Sequence, residues 1–117
     1  MLREMKTVQR EARVIFVTID GSAVAGGTLT TDGVLVGSPH VKVTETGNGA
    51  YTITLNEPGS RSCWAMVIPI TDNSICYVGE CLASTVKITQ ETASTGAALA
   101  DADFNVMIVA FDSLEEN

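Results

Sequence analysis

Four side chains in this sequence have the chemistry of metal ligands: His40, Cys63, Cys76 and Cys81. Three sulfurs and one imidazole form a legitimate zinc set. The spacing argues against it, because Cys76 and Cys81 are separated by four residues and no Cys-x-x-Cys pair occurs. Cys63 lies in a strongly apolar segment, where a free cysteine behaves as a small buried hydrophobic side chain. We therefore predict reduced thiols, no bound metal and no cofactor.

The chain offers little for nucleophilic or acid–base catalysis. His40 is the only histidine, and no Gly-x-Ser-x-Gly elbow places a nucleophile for it. Asp101 and Asp103 are two residues apart, so in a strand both carboxylates face the same side and are candidates for binding a cation or for acid–base work. They also precede a strongly apolar segment, where charges act as gatekeepers against aggregation. The sequence predicts a protein that is not an enzyme.

Charge is distributed unevenly along the 117 residues, whose formal net charge is −7. Residues 1–13 carry four basic and two acidic side chains, a balance of +2, and the remainder carries three basic and twelve acidic ones, a balance of −9. An acidic body repels nucleic acid and anionic membrane, so neither is an expected partner. No apolar stretch follows the N-terminal charges as in a secretory signal, and we expect folding in a cytosol.

Residues 1–12 are the one helix candidate in the chain. Leu2, Met5, Val8 and Ala12 recur at spacings of three, three and four residues, which puts them on one helix face. A helix of about 11 residues is marginal alone in water. The predicted amphipathic arm therefore needs a surface to pack on. That surface is either its own domain or, given the apolar stripe and basic residues such as Arg10, another copy of the chain or a larger assembly.

Residues 13–112 predict strands and turns, and residues 113–117 a polar tail. The clearest hairpin joins residues 40–46 to residues 51–55 through Gly47-Asn48-Gly49. Residues 28–31 predict a short strand, Pro69 indicates an edge strand or bulge, and residues 91–102 predict a long loop or a bulged crossover. About eight short strands separated by turns predict an all-β fold, a single β-sandwich of jelly-roll-like type.

The final segment, residues 103–111, is apolar on both faces of the strand that it predicts, whereas a strand with one wet face alternates. One face carries Phe104, Val106, Ile108 and Ala110, and the other carries Asn105, Met107, Val109 and Phe111. Both faces therefore need cover. Either this is a central strand buried within one sandwich, or one face packs in the core and the other near a symmetry-related copy.

Aromatic side chains are sparse, and two of them occupy apolar positions of strong strands. We predict that Tyr51 and Trp64 are core residues rather than platforms that stack on bases or sugars.

Two short motifs carry a resemblance to a known family. The hairpin strand Gly49-Ala50-Tyr51-Thr52-Ile53-Thr54-Leu55 fits G-x-Y-x-[IV]-x-[FL], and Ala100-Asp101-Ala102-Asp103-Phe104-Asn105-Val106 fits A-D-x-x-F-x-[FV]. With the Cys-containing apolar strand and residues 86–89 between them, the sequence resembles small β-sandwich modules of tailed-phage and prophage virion proteins over about residues 41–112. Such modules occur in fibre, head-fibre and capsid-decoration proteins and commonly assemble as trimers. The resemblance implies a sandwich and a trimer, and it carries over no catalytic residue.

We predict a phage virion structural protein, a capsid decoration or cement protein that trimerises and stabilises the head. It would reside in the virion after assembly in the host cytoplasm, with other copies and the major capsid protein as partners. The alternative is a fibre-tip or head-fibre module that binds a host-surface glycan through loops such as residues 93–98. The predicted interface residues are Leu2, Met5, Val8, Arg10, Met107, Val109 and Phe111.

Overall fold

The computed structural model describes residues 12–59, 61–99 and 101–111, which form eight β-strands and one short 3₁₀ helix, Gly21–Ala23. The strands make two four-stranded antiparallel sheets that enclose one core, so the prediction of an all-β sandwich with about eight strands is confirmed. In chain order the strands are β1 (Ala12–Ile19), β2 (Val34–Val36), β3 (Val41–Gly47), β4 (Ala50–Leu55), β5 (Trp64–Pro69), β6 (Ser74–Cys81), β7 (Thr85–Thr92) and β8 (Phe104–Phe111).

Sheet A has the strand order β2-β1-β8-β5, and sheet B has the order β3-β4-β7-β6. The last strand, β8, is central in sheet A and pairs with β1 along its whole length, from Ala12 opposite Phe111 to Ile19 opposite Phe104. β5 and β6 are consecutive in the chain and form one edge of each sheet. Pro69 ends β5, and its edge position agrees with the prediction, because proline donates no ladder hydrogen bond.

The core lies between the sheets and is built from alternate residues of each strand. Ile15, Val17 and Ile19 point inward from β1 and are almost completely buried. On β8 the buried set is Phe104, Val106, Ile108 and Ala110, which is one of the two faces that the alternation of that segment separates. The rings of Tyr51 and Phe104 contact each other across the core, with their centroids 5.4 Å apart at a 53° tilt. Burial of these side chains is the main stabilising term of the fold.

The predicted hairpin is present as β3 and β4, with Tyr51, Ile53 and Leu55 facing the core. Gly49 closes its turn with φ +75°, and a Cβ at this position would lie 2.8 Å from the Gln90 carbonyl oxygen. Only glycine satisfies both the left-handed backbone and the close approach of β7. The turn residues therefore fix the hairpin and its packing together.

Gln90 is the one buried polar side chain among the described residues, and it ties the two sheets together. Its Nε2 donates to the Ala102 carbonyl oxygen at 2.9 Å, and the Cys76 thiol donates to its Oε1 at 3.4 Å. Both ends of the amide are satisfied, which removes most of the cost of burying it. This places Ala102, at the entrance to β8, against β7 of the opposite sheet.

Two predicted segments differ in detail from the structure. Residues 28–31 do not form a strand, since only Thr30 pairs there, with Val43, as an isolated bridge. Residues 91–102 do cross between the sheets: β7 runs to Thr92, and the chain turns back so that Ala98 opposes Glu91. The predicted helical arm lies outside the described residues except for Ala12, which is the first residue of β1, and the polar tail at 113–117 also lies outside them.

Within the described ranges, no helix is long and apolar enough to cross a membrane.

Candidate functional site

The outer face of sheet A is apolar, and we call it the apolar face. The antiparallel registers of β1, β8 and β5 align outward side chains into rows across the sheet. Thr18 and Asn105 hydrogen-bond to each other at one end, with 2.7 Å between their oxygens. The rows are Val14–Val109–Trp64, Phe16–Met107–Met66 and Thr18–Asn105–Ile68, with Ala12–Phe111 beyond the first and Val36 beside Thr18.

Much of this apolar surface is open to solvent. Phe16 on the central strand β1 is 63% exposed, Ile68 is 55% exposed and Trp64 is 47% exposed. None of the outward positions of β1, β8 and β5 carries a charged residue. From the spacing and rise of strands the face measures roughly 20 Å by 20 Å, or about 400 Å². The largest apolar patch of a typical monomer measures about 300–600 Å² and is often functional, so this face is the candidate interaction surface.

A shallow hollow of about 270 Å³ lies within the apolar face. Its sides are formed by Phe16, Met66 and Ile68, and Met107 lies at the position between the first two. A protruding side chain of a partner can fill such a hollow, so the face offers shape complementarity as well as hydrophobicity.

The outer face of sheet B is an internal comparison, because the same fold produces it with different residues. Its central strands present threonine, and Lys87 Nζ lies 3.1 Å from Glu80 Oε1. Its one exposed aromatic side chain, Tyr77, lies on the edge strand β6 and donates to Glu91 Oε2 at 2.9 Å. The outward residues of β3, β4 and β7 include Lys42, Thr44, Ala50, Thr52, Thr54, Thr85, Lys87, Thr89 and Glu91. Sheet B therefore has the ordinary wet face, and sheet A does not.

Three of the predicted interface residues, Met107, Val109 and Phe111, lie on the apolar face and are half-buried between their neighbours. The other four, Leu2, Met5, Val8 and Arg10, lie outside the described residues.

Sequence reasoning missed the larger part of this surface, which β1 and β5 contribute. The prediction that Trp64 is a core residue is wrong, because its side chain is half-exposed at an outward position of β5. The same prediction for Tyr51 is confirmed, because Tyr51 is fully buried. A signal was present, because β1 and β5 are apolar at outward as well as inward positions, like β8. Apolar alternation alone does not say which of two apolar faces points inward.

The structure separates the candidate metal ligands. Cys63 and Cys81 have their sulfurs 3.1 Å apart, and Cys76 instead bonds to Gln90. His40 precedes β3, at the edge of sheet B opposite the β6 edge that carries Cys81. In the part of the chain that the structure describes, no three His, Cys, Asp or Glu side chains are grouped to hold a metal ion.

The candidate carboxylates Asp101 and Asp103 precede β8 and do not share a strand face as predicted. The side chain of Asp103 instead forms a hydrogen bond with that of Asp20. Partial burial, followed by the nearby Asp20 charge, raises the pKa of Asp103. The hydrogen bond from the Ser22 side chain is the main reason that the pKa of Asp20 is lowered. Asp101 is exposed and precedes β8. Asp20, which follows β1, and Asp103, which precedes β8, therefore lie in loops at one end of the sandwich and not on the apolar face.

Replacing Asp103 with asparagine should slightly stabilise the fold at neutral pH. A carboxyl group whose pKa is raised by folding contributes stability below its unfolded pKa, and that contribution is lost as pH rises through the folded pKa. Asparagine keeps a neutral donor toward Asp20 at every pH. We expect D103N to raise the melting temperature by about 2 °C at pH 7 and by nothing near pH 3. Thermal unfolding at the two pH values tests this, and an equal gain at both would contradict the charge argument.

Fold and surface together define a class: a small antiparallel β-sandwich with one polar and one apolar outer face. Comparisons of the chain with protein-family models, with curated proteins and with solved structures find no match.

Proposed function

We propose that this chain is a structural protein of a phage virion, a decoration or cement protein that trimerises and stabilises the head. The observation that carries the proposal is the apolar face of sheet A, with Phe16, Met66 and Ile68 exposed around one hollow. A surface of this kind suits an assembly role, because its cost in solubility is removed when copies cover each other. The resemblance of residues 41–112 to virion modules supports the same function.

Another copy of the chain fits the apolar face better than a charged partner does. The outward positions of β1, β8 and β5 offer no charge for an ionic partner to pair with. Three such faces amount to about 1,200 Å², or about 400 Å² for each of the three interfaces of a trimer, so residues outside the face must contribute to each interface as well. Apart from Ala12, which belongs to β1, the predicted arm's stripe has only Leu2, Met5 and Val8, which are too few to cover a face with nine apolar side chains.

In the proposed trimer, the apolar face of each copy contacts both neighbouring copies. Around a threefold axis each copy contacts two neighbours with two different patches. In this arrangement Met107 and Val109, on the central strand β8, lie nearest the axis. Trp64 on the β5 side then meets the Phe16 side of the next copy. Apolar side chains that lock together at the centre of an interface supply most of its binding energy.

The capsid is the second partner in this proposal. The domain from residue 14 onward has a net charge of −9, whereas residues 1–13 have +2. A basic arm carrying Leu2, Met5, Val8 and Arg10 is suited to an acidic, partly apolar groove on the major capsid protein. Repetition of such contacts over a particle raises its resistance to disruption, because binding to the intact state alone stabilises that state.

The test is to mix the purified protein with phage heads that lack it. We expect saturable binding and a higher disruption temperature of the heads, measured by the release of their DNA on heating. A chain without residues 1–11 should still form the trimer and should lose binding to the heads. Heads that bind nothing would contradict the proposal, and binding that survives the deletion would contradict the role of the arm.

A glycan-binding fibre module is the second candidate, and one observation favours it. Tyr77 is 43% exposed on the polar face of sheet B, with Glu91 accepting its hydroxyl hydrogen bond. An exposed aromatic ring beside an acid is a feature that suits a sugar site. Binding of the protein to host cells rather than to heads, lost in Tyr77→Ala, would select this function.

A further inference from the structure

Cys63 and Cys81 meet where the edge strands of the two sheets come together, and Cys63 faces the core rather than the apolar face. Cys63 directly precedes β5, the edge strand of sheet A, and Cys81 ends β6, the edge strand of sheet B. Their sulfurs are 3.1 Å apart although 18 positions separate them in the chain. Cys76, the third cysteine, is on the same strand as Cys81, but its thiol donates a hydrogen bond to Gln90. The fold therefore selects one of the three possible cysteine pairs.

Both thiols of this pair are held in the reduced form by hydrogen bonds. The Cys63 thiol donates to the Leu82 carbonyl oxygen at 3.0 Å, which leaves its sulfur to accept from Cys81. Burial, followed by the contact with Cys63, raises the pKa of Cys81 to about 12. Cys81 is therefore protonated at neutral pH, and its reactions proceed through a small thiolate fraction.

We propose that Cys63 and Cys81 are a modification site, at which an oxidised low-molecular-weight thiol such as glutathione disulfide converts the pair into a disulfide that joins the two sheets. The sulfurs need to approach by only about 1 Å to reach the bond length of about 2.05 Å. Cys63 is almost fully buried and Cys81 is half-buried, so Cys81 is the thiol that meets the oxidant first.

The reaction balances as two thiol–disulfide exchanges. The Cys81 thiolate attacks one sulfur of glutathione disulfide, the S–S bond of glutathione breaks, and one glutathione leaves and takes up a proton. Cys63 then attacks the Cys81 sulfur of the mixed disulfide, which releases the second glutathione with the second proton. Two protein thiols are oxidised to one disulfide, and one glutathione disulfide is reduced to two thiols.

The new bond would link the two sheets at the edge formed by β5 and β6. It closes a loop of residues 63–81, which contains the two edge strands β5 and β6. Restricting a loop of about this length in the unfolded chain corresponds to a rise in melting temperature of about 10 °C. This inference is independent of the proposed function, since it needs neither a trimer nor a capsid.

The experiment equilibrates the full chain in glutathione buffers of increasing oxidised fraction at pH 8.5. Intact mass and peptide mapping follow the bond, and thermal unfolding follows the stability. We expect the wild type to lose two hydrogen atoms, to yield one peptide pair linked through Cys63 and Cys81, and to gain about 10 °C. The rate should rise about tenfold per pH unit below the thiol pKa, because the thiolate is the attacking species.

Cys76→Ser is the matched control and should behave as the wild type does. Cys81→Ser should stay reduced, and Cys63→Ser should accumulate a mixed disulfide with glutathione at Cys81. No loss of hydrogen at the most oxidising ratio would overturn the proposal, as would a bond that involves Cys76 or that joins two chains. Because the wild type alone gives these results, the test does not depend on the folding of the variants.

Discussion

In the proposed trimer, replacing Phe16 with glutamate is expected to separate the copies into monomers that remain folded. Phe16 is the most exposed large apolar side chain of the apolar face and lies on a central strand of sheet A. The substitution removes an apolar contact and puts a charge where no partner charge exists. We expect dissociation constants to rise at least about 100-fold, or about 2.7 kcal/mol. Light scattering coupled to size-exclusion chromatography measures the mass over a range of concentrations.

Thr52→Glu is the matched control for this experiment. Thr52 lies on the outer face of sheet B, on the central strand β4. Its replacement by glutamate adds the same charge to the molecule as F16E does. Its register partner is Lys87, so the new carboxylate is accommodated there. We expect this variant to keep the wild-type mass. A wild-type chain that is monomeric at all concentrations, or an F16E variant that stays assembled, would refute the role of the apolar face.

Replacing Phe104 with alanine should cost about 3–5 kcal/mol of the free energy of unfolding, the usual cost of deleting a buried phenylalanine. Phe104 is fully buried and packs on Tyr51 across the core. The cavity cannot collapse easily, because Ile19 beside it on β1 is paired in the ladder. Urea unfolding followed by tryptophan fluorescence gives the change, with far-UV circular dichroism to confirm that the variant folds.

Phe16→Ala is the matched control for Phe104→Ala, because it removes the same type of side chain from the opposite face of the same sheet. Measured at a concentration where the chain is monomeric, it should cost no more than about 1 kcal/mol, the range of strand propensity. The same variant should weaken assembly, which F104A affects only through folding. Equal costs for the two substitutions would mean that the apolar face is covered within the monomer.

The two phenylalanines show where sequence reasoning succeeds. The alternation in residues 104–111 correctly separates the two faces of β8, and the Gly47-Asn48-Gly49 turn correctly places the β3–β4 hairpin. These features depend on short-range rules: side chains alternate along a strand, and a glycine at φ +75° marks a tight turn. The predicted strand at 28–31 failed because a single bridge to β3 replaced a ladder there.

The sequence by itself determined that this chain is an all-β sandwich and that β8 is apolar on both faces. Only the tertiary structure decided that β8 lies between β1 and β5, whose outward side chains extend one apolar strand face into a surface. It also decided that Trp64 points outward and that Cys63 meets Cys81 rather than Cys76. These outcomes depend on strand order and register between distant segments. Alternation along one strand carries no information about its neighbours in space.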